Sequence, residues 1–121
     1  MPSTQEIVDE ELEKITEEDG VTGAAVVRQD GLLIASDLGE DINEDQVGAM
    51  TASTVGSGDT ASDSVGIGEV KGVTVEARQG KIISMSAGEE GILVIVTDAE
   101  TGIGDIKDVV MDAGSTIAGE L

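Results

Sequence analysis

The sequence predicts an α/β domain in which a single antiparallel sheet carries helices on both faces. Two apolar runs flank Asp30-Gly31, and Asp-Gly between apolar runs is a strong signal for a tight hairpin. Residues 92–97 form a continuous apolar run, which is typical of a central strand covered on both faces. Apolar residues also recur at helical spacing before the hairpin, after it and at the end of the chain, which indicates three amphipathic helices.

The first helix is predicted to begin at Ser3, because Ser3 and Glu6 have the spacing of a capping box. Apolar residues then repeat at helical spacing through Val8, Leu12 and Ile15, with glutamates between them. Gly20 is expected to mark its end.

The hairpin is predicted to join strands over residues 23–29 and 32–37. We expect a two-residue type I′ turn, in which both Asp30 and Gly31 take positive φ. Both strands are apolar on both faces, so we expect helices on each side of the sheet.

The second helix is predicted from an Asn43 cap, with Gln46 at the capping-box position, to about Val65. Its glycines each cost up to about 1 kcal/mol relative to alanine, so a helix broken near residues 56–58 is the alternative. The predicted core-facing stripe is Val47, Met50, Thr54, Ala61 and Val65. A second stripe consists of small residues: Gly48, Ala52 and Gly56.

The third strand is predicted over residues 69–78, where Val73 and Val75 share one face and polar residues share the other. Two further strands are expected over residues 81–87 and 92–97. A polar loop, residues 98–104, then leads to a third helix capped by Asp105. No linker or repeat divides residues 1–121, so one domain is expected.

Composition excludes most catalytic chemistry. The chain has no His, Cys or aromatic residue, which removes imidazole catalysis, thiol nucleophiles and disulfides. Residues 41–45 resemble the start of a calcium loop but lack its glycine and closing glutamate. Gly102-Ile-Gly104 lacks the lysine of a phosphate-binding loop. We predict no catalytic, cofactor or metal site and no enzyme activity; a carboxylate-based enzyme is the remaining alternative.

The chain carries a formal net charge of −20, from 26 acidic and 6 basic residues. Such a charge disfavours nucleic acid and anionic membranes as partners. It fits a solvated surface adapted to a salt-rich cytoplasm, or a field that steers a basic partner. The chain has no apolar run long enough to span a bilayer, and its first residues are polar and acidic, unlike a signal peptide. We therefore expect a cytoplasmic protein.

The order helix, hairpin, helix, three strands, helix resembles the Roadblock family of dynein light-chain-like proteins, which includes bacterial and archaeal regulators of small Ras-like GTPases. The resemblance covers about residues 6–119. The residues that carry it are Gly20-Val21, Gly23-Ala24, Asp30-Gly31-Leu32, Ala35-Ser36, the apolar strand 91–97 and Gly104. Helix two departs from the family, which usually has an alanine- and leucine-rich helix there.

The resemblance implies the element order αββαβββα, the strand order 2-1-5-4-3 and a homodimer made through strand three and helix two. It also implies a non-catalytic module that regulates or scaffolds a small GTPase or a larger protein assembly. A structural homodimeric adaptor without a nucleotide-linked partner is the alternative.

Strand three would then be an edge strand without proline, and such an edge is open to pairing with another chain. The predicted dimer interface is Gly48, Ala52, Gly56, Lys71, Val73, Thr74 and Val75. The small residues of helix two would let the second copy approach closely. The alternative is a monomer whose edge is covered by the loop of residues 98–104.

Overall fold

The structure is a computed structural model that describes all residues 1–121. Its elements are α1 (Thr4–Thr16), β1 (Val21–Arg28), β2 (Leu33–Asp37), α2 (Glu44–Ser64), β3 (Gly72–Glu76), β4 (Lys81–Ala87), β5 (Gly91–Thr97) and α3 (Ile103–Glu120). The five strands form one antiparallel sheet in the order β2-β1-β5-β4-β3. The predicted fold class, element order and strand order are confirmed.

The helices cover the two faces of the sheet unequally. Helices α1 and α3 lie on one face above the larger core of 14 buried residues, which includes Leu12, Leu93 and Ile117. Helix α2 alone covers the other face, where the core has six buried residues, among them Val55 and Val94. One helix cannot cover five strands, so part of the α2 face stays open.

Local capping signals placed the first helix correctly. The Ser3 hydroxyl accepts a hydrogen bond from the Glu6 amide at 3.1 Å, as the capping-box spacing predicts. The helix ends at Thr16, and Gly20 follows with φ of +86°, a conformation that glycine adopts without strain.

The predicted type I′ turn is wrong. Gly31 has φ of +94°, but no residue other than glycine has positive φ, so Asp30 is not left-handed. The Gly31 amide donates to the Arg28 carbonyl and the Arg28 amide donates to the Leu32 carbonyl, which makes a three-residue loop with one left-handed glycine. The Asp30 carboxylate accepts from the Leu32 amide at 3.1 Å, a local bond that favours this turn.

Helix α2 is continuous through residues 56–58, so the unbroken helix is confirmed. Asn43 caps it, accepting from the Gln46 amide at 3.1 Å. The predicted core-facing stripe is wrong, because Met50, Ala61 and Val65 are exposed. The residues buried instead are Gly48, Thr51, Val55 and Ser62. Small residues face the sheet because α2 packs close to it.

Two further boundaries differ from the prediction. Strand β3 spans five residues rather than the predicted ten. The cap of α3 is Gly102, not Asp105. The Asp105 carboxylate instead accepts from the Gly102 amide at 2.9 Å, because a carboxylate in the third helical position can reach back to the cap backbone.

Two glycines of α2 should respond oppositely to alanine. Gly56 has no atom within 4 Å of the position a Cβ would take, so Gly56→Ala should raise the free energy of unfolding by about 0.5–1 kcal/mol. A Cβ on Gly48 would lie 2.9 Å from the Gly31 carbonyl oxygen, so Gly48→Ala should lower it by about 1–3 kcal/mol. Urea denaturation of both variants measures the difference. Stabilisation by Gly48→Ala would show that α2 does not press on the hairpin.

Candidate interaction surface

Strand β3 pairs with β4 alone and leaves its other edge open. Hydrogen bonds to the β4 side flank the strand at the Lys71 carbonyl, 3.2 Å, and at the Ala77 amide, 2.8 Å. In an antiparallel pair, bonds to one neighbour recur at every second residue. The backbone groups that point to the open edge therefore belong to Gly72, Thr74 and Glu76. They form a short template for another strand.

The loop of residues 98–104 is tied to other parts of the molecule. The Asp98 amide donates to the Gly20 carbonyl at 2.8 Å, and the Lys81 ammonium donates to the Thr101 carbonyl at 3.0 Å. Hydrogen bonds from the Thr101 side chain and amide hold the pKa of Asp98 below its ordinary value. None of the hydrogen bonds of this loop goes to β3, so nothing here supports the alternative in which it covers the edge.

A groove of about 470 Å³ lies between α2 and the outer strands. It is named the α2 groove here, and its apolar lining is Ile42, Val47, Met50, Val75 and Ile82. Val75 and Ile82 lie opposite each other on β3 and β4. Met50 is 56% exposed and Val75 is 43% exposed. Open apolar side chains gathered in one groove on an otherwise highly charged chain indicate a binding surface.

The charges around this surface are unevenly placed. Asp41 lines the groove, and Glu44 and Asp45 lie in the first turn of α2. The open edge of β3 is less acidic, because the basic residues Lys71 and Arg78 flank the strand. Neither of them belongs to an ion pair. The two ion pairs of the chain are Lys14–Glu11 and Arg28–Asp30. The edge therefore offers free cations on a chain with few of them.

The structure brings only part of the predicted dimer interface together. Lys71, Val73, Thr74 and Val75 lie in or beside β3, at the open edge. The three small residues of α2 do not form one outer face. Gly48 is buried against the hairpin, Ala52 is half-buried next to Gly31, and Gly56 is exposed.

Sequence reasoning missed three residues of this surface: Ile42, Met50 and Ile82. A signal for Ile82 was present, because the side chains that share its face of β4 are Ser84 and Ser86, and an isoleucine among serines indicates a face that the core covers only in part. Met50 was assigned to the core-facing stripe instead. Small and weakly polar residues make up most of α2, so the sequence does not show clearly which side of the helix faces the sheet.

The structure contains no group of three or more metal-ligating side chains placed to hold an ion. No helix combines the length and the apolar character that crossing a bilayer requires.

Comparison with known proteins gives a consistent picture. The profile of the Roadblock/LC7 domain family matches residues 7–97. An uncharacterised protein of Methanocaldococcus jannaschii is 34% identical over 113 residues, which cover 93% of this chain and 95% of the relative.

Solved structures of the bacterial protein MglB share the fold. An MglB with a tetrameric arrangement superposes with a TM-score of 0.89 at 19% identity, covering 99% of this chain and 91% of that one. The gliding protein MglB of Thermus thermophilus gives a TM-score of 0.88 at 18% identity, covering 99% and 92% of the two chains. At these identities the likeness is one of fold.

Proposed function

We propose a function from one premise: the chain belongs to the Roadblock/LC7 domain family. It acts as a non-catalytic interaction module that regulates or scaffolds a small Ras-like GTPase. Membership of a family that includes such regulators carries the proposal. The open β3 edge and the α2 groove support it, because both are surfaces for binding rather than clefts lined by catalytic groups.

The module would work as a homodimer joined at the β3 edge. Pairing β3 with its two-fold copy would satisfy the outward backbone groups of Gly72, Thr74 and Glu76 and extend the sheet across both chains. A closed two-fold contact is the commonest form of oligomer. An MglB with the same fold has a tetrameric arrangement, which supports self-association.

The charge supports a cytoplasmic module that works in high salt. With 26 acidic and 6 basic residues, its field would attract a partner with a basic docking surface and raise the rate of encounter. The absence of His and Cys supports a role without chemistry of its own.

A capture experiment followed by a hydrolysis assay tests the proposal. The chain is immobilised and incubated with a cell lysate in high potassium chloride, and the bound proteins are identified. A small GTPase found among them is then purified and loaded with GDP or with a non-hydrolysable GTP analogue. We expect the chain to bind one nucleotide state at least about tenfold more tightly, a coupling of about 1.4 kcal/mol. The chain alone should release no phosphate from GTP.

A control separates specific docking from charge attraction. An unrelated protein of similar acidity should not distinguish the two nucleotide states. Recovery of large assemblies without any GTPase would favour the structural adaptor. Phosphate release by the pure chain, abolished by a point substitution, would contradict a non-catalytic module.

A further inference from the structure

Methionine is the only readily oxidised side chain in this protein. The sequence has four Met but no Cys, His, Trp or Tyr. No thiol, imidazole or electron-rich aromatic ring can therefore intercept an oxidant before it reaches a thioether. Oxidation adds an oxygen atom to the methionine sulfur and turns a flexible apolar side chain into a polar one. A mild oxidant therefore acts on this protein through its methionines.

The three methionines that follow Met1 line grooves at the surface. Met50 lies in the α2 groove. Met85 and Met111 line a smaller groove of about 210 Å³ between α3 and β4, which is named the α3 groove here. None of the three is among the buried residues of the two cores. Oxidation at these positions would therefore change the grooves and leave the buried cores intact.

Exposure separates Met50 and Met111 from Met85. Met50 is 56% exposed and Met111 is 54% exposed, whereas Met85 is half-buried and packs against the larger core. Hydrogen peroxide is small and uncharged, so the net charge of −20 does not repel it. Because the susceptibility of a sulfur atom follows its exposure, we expect peroxide to oxidise Met50 and Met111 at similar rates and Met85 more slowly.

The surroundings of Met50 give its oxidation a consequence for binding. The other apolar residues of the α2 groove are Ile42, Val47, Val75 and Ile82, so an apolar group that entered the groove would meet the Met50 side chain among them. A sulfoxide there would place a hydrogen-bond acceptor against a ligand that has no donor. Covering a polar group without a partner costs free energy. The oxidised groove should therefore bind apolar groups more weakly.

Oxidation of Met50 should leave the fold intact. Met50 lies in the second turn of α2, on the side that is exposed. The residues of α2 that are buried against the sheet include Gly48, Thr51 and Val55. The added oxygen would lie in the groove or in solvent and not in the core, so the change is confined to the surface.

We propose that Met50 is a site of oxidation by hydrogen peroxide, and that its sulfoxide weakens the binding of apolar groups in the α2 groove. The Met50 sulfur takes one oxygen atom from the peroxide, whose O–O bond breaks, and the other peroxide oxygen leaves as water. Sulfur is oxidised and peroxide is reduced. Methionine sulfoxide reductases reverse the change, with a pair of thiols that become a disulfide while the oxygen leaves as water. The proposal goes beyond GTPase regulation and does not depend on it.

Peroxide treatment followed by dye binding tests the proposal. The full chain is treated with a small excess of hydrogen peroxide in high potassium chloride, and catalase then removes the peroxide. Peptide mass mapping gives the oxidised fraction at each methionine. Nile red, an uncharged dye that fluoresces in apolar surroundings, reports the affinity of the groove. We expect oxidation of Met50 ahead of Met85, and a loss of dye affinity of about tenfold or more.

Two leucine variants assign the loss of affinity to one groove. Met50→Leu keeps an apolar side chain of similar volume without the sulfur, so peroxide should leave its dye affinity nearly unchanged. Met111→Leu is the matched control, because Met111 is as exposed as Met50 but lies in the α3 groove. It should lose dye affinity on oxidation as the wild-type chain does. Methionine sulfoxide reductases with a dithiol should restore the affinity.

A glutamine variant gives a second measurement without peroxide. Met50→Gln places a neutral polar side chain of similar length in the groove, so it should weaken dye binding as the sulfoxide does. Met111→Gln should not. Both positions are exposed, so both variants should fold, which far-UV circular dichroism checks.

Four results would overturn the proposal. Met50 could be oxidised no faster than Met85, or its oxidation could leave the dye affinity unchanged. The loss of affinity could persist in Met50→Leu and disappear in Met111→Leu, which would assign it to the α3 groove. An untreated wild-type chain that binds no dye would show that the α2 groove does not accept apolar groups.

Discussion

Thr74→Pro is expected to convert the dimer into a folded monomer. The Thr74 amide points to the open edge of β3 and not to β4, as the bonds at Lys71 and Ala77 indicate. Proline removes that donor and places a ring where the second copy would approach, while the ladder to β4 stays intact. We expect the dimerisation constant to weaken by about 10–100-fold, because each copy loses one amide donor at the junction and a backbone hydrogen bond contributes about 0.5–1.5 kcal/mol. Sedimentation in high potassium chloride measures it, and far-UV circular dichroism checks the fold.

Thr74→Val is the matched control for this substitution. It keeps the amide and the β-branched shape, so the dimer should persist with a nearly unchanged dimerisation constant. A monomeric wild-type chain, or an unchanged dimer in Thr74→Pro, would show that the β3 edge is not the joint.

Features that depend only on residues close together in the sequence were predictable. The Ser3 and Asn43 caps each depend on a side chain and an amide three residues away, and both form as expected. The strand order is different in kind, because it depends on contacts between distant segments. It followed from resemblance to a family and not from the periodicity of any one strand.

Where the same residues suit two local structures, the prediction from the sequence was wrong. Asp30-Gly31 suits a type I′ turn, but it also suits a longer turn in which only the glycine is left-handed and the aspartate bonds Leu32. Asp105 can cap a helix or reach back to a cap at Gly102, and the second arrangement forms. In both places the same side chain suits either structure, and the hydrogen bond that forms differs between the two.

Only part of the candidate interaction surface was predictable from the sequence, for a related reason. The alternation of Val73 and Val75 reports which residues share a face of β3, but it does not report whether anything covers that face. Exposure of Met50 and Ile82 depends on where α2 lies across the sheet. That path is set by how closely Gly48 approaches the hairpin turn, a tertiary contact that no periodicity encodes.

The melting temperature is expected to rise steeply with salt. The net charge is −20, and two ion pairs offset few of the acidic side chains. Mutual repulsion in the compact state weakens as the Debye length falls from about 8 Å at 0.15 M salt to about 3 Å at 1 M. Screening worth about 2–3 kcal/mol would raise the melting temperature by about 10 °C in a domain of this size. Circular dichroism across a potassium chloride series, at one fixed protein concentration, measures it.

A charge-reduced variant separates screening from the general stabilising effect of excluded solutes. Glu10 and Glu13 of α1 and Glu17, the residue that caps its C-terminus, are exposed, and like charges at helical spacing repel one another. Replacing all three with glutamine should raise the melting temperature in low salt and flatten its dependence on potassium chloride. Sucrose, which is excluded from protein surfaces but carries no charge, should stabilise both chains equally. A melting temperature that stays flat or falls with salt, or an equal salt slope in both chains, would show that charge repulsion does not limit stability.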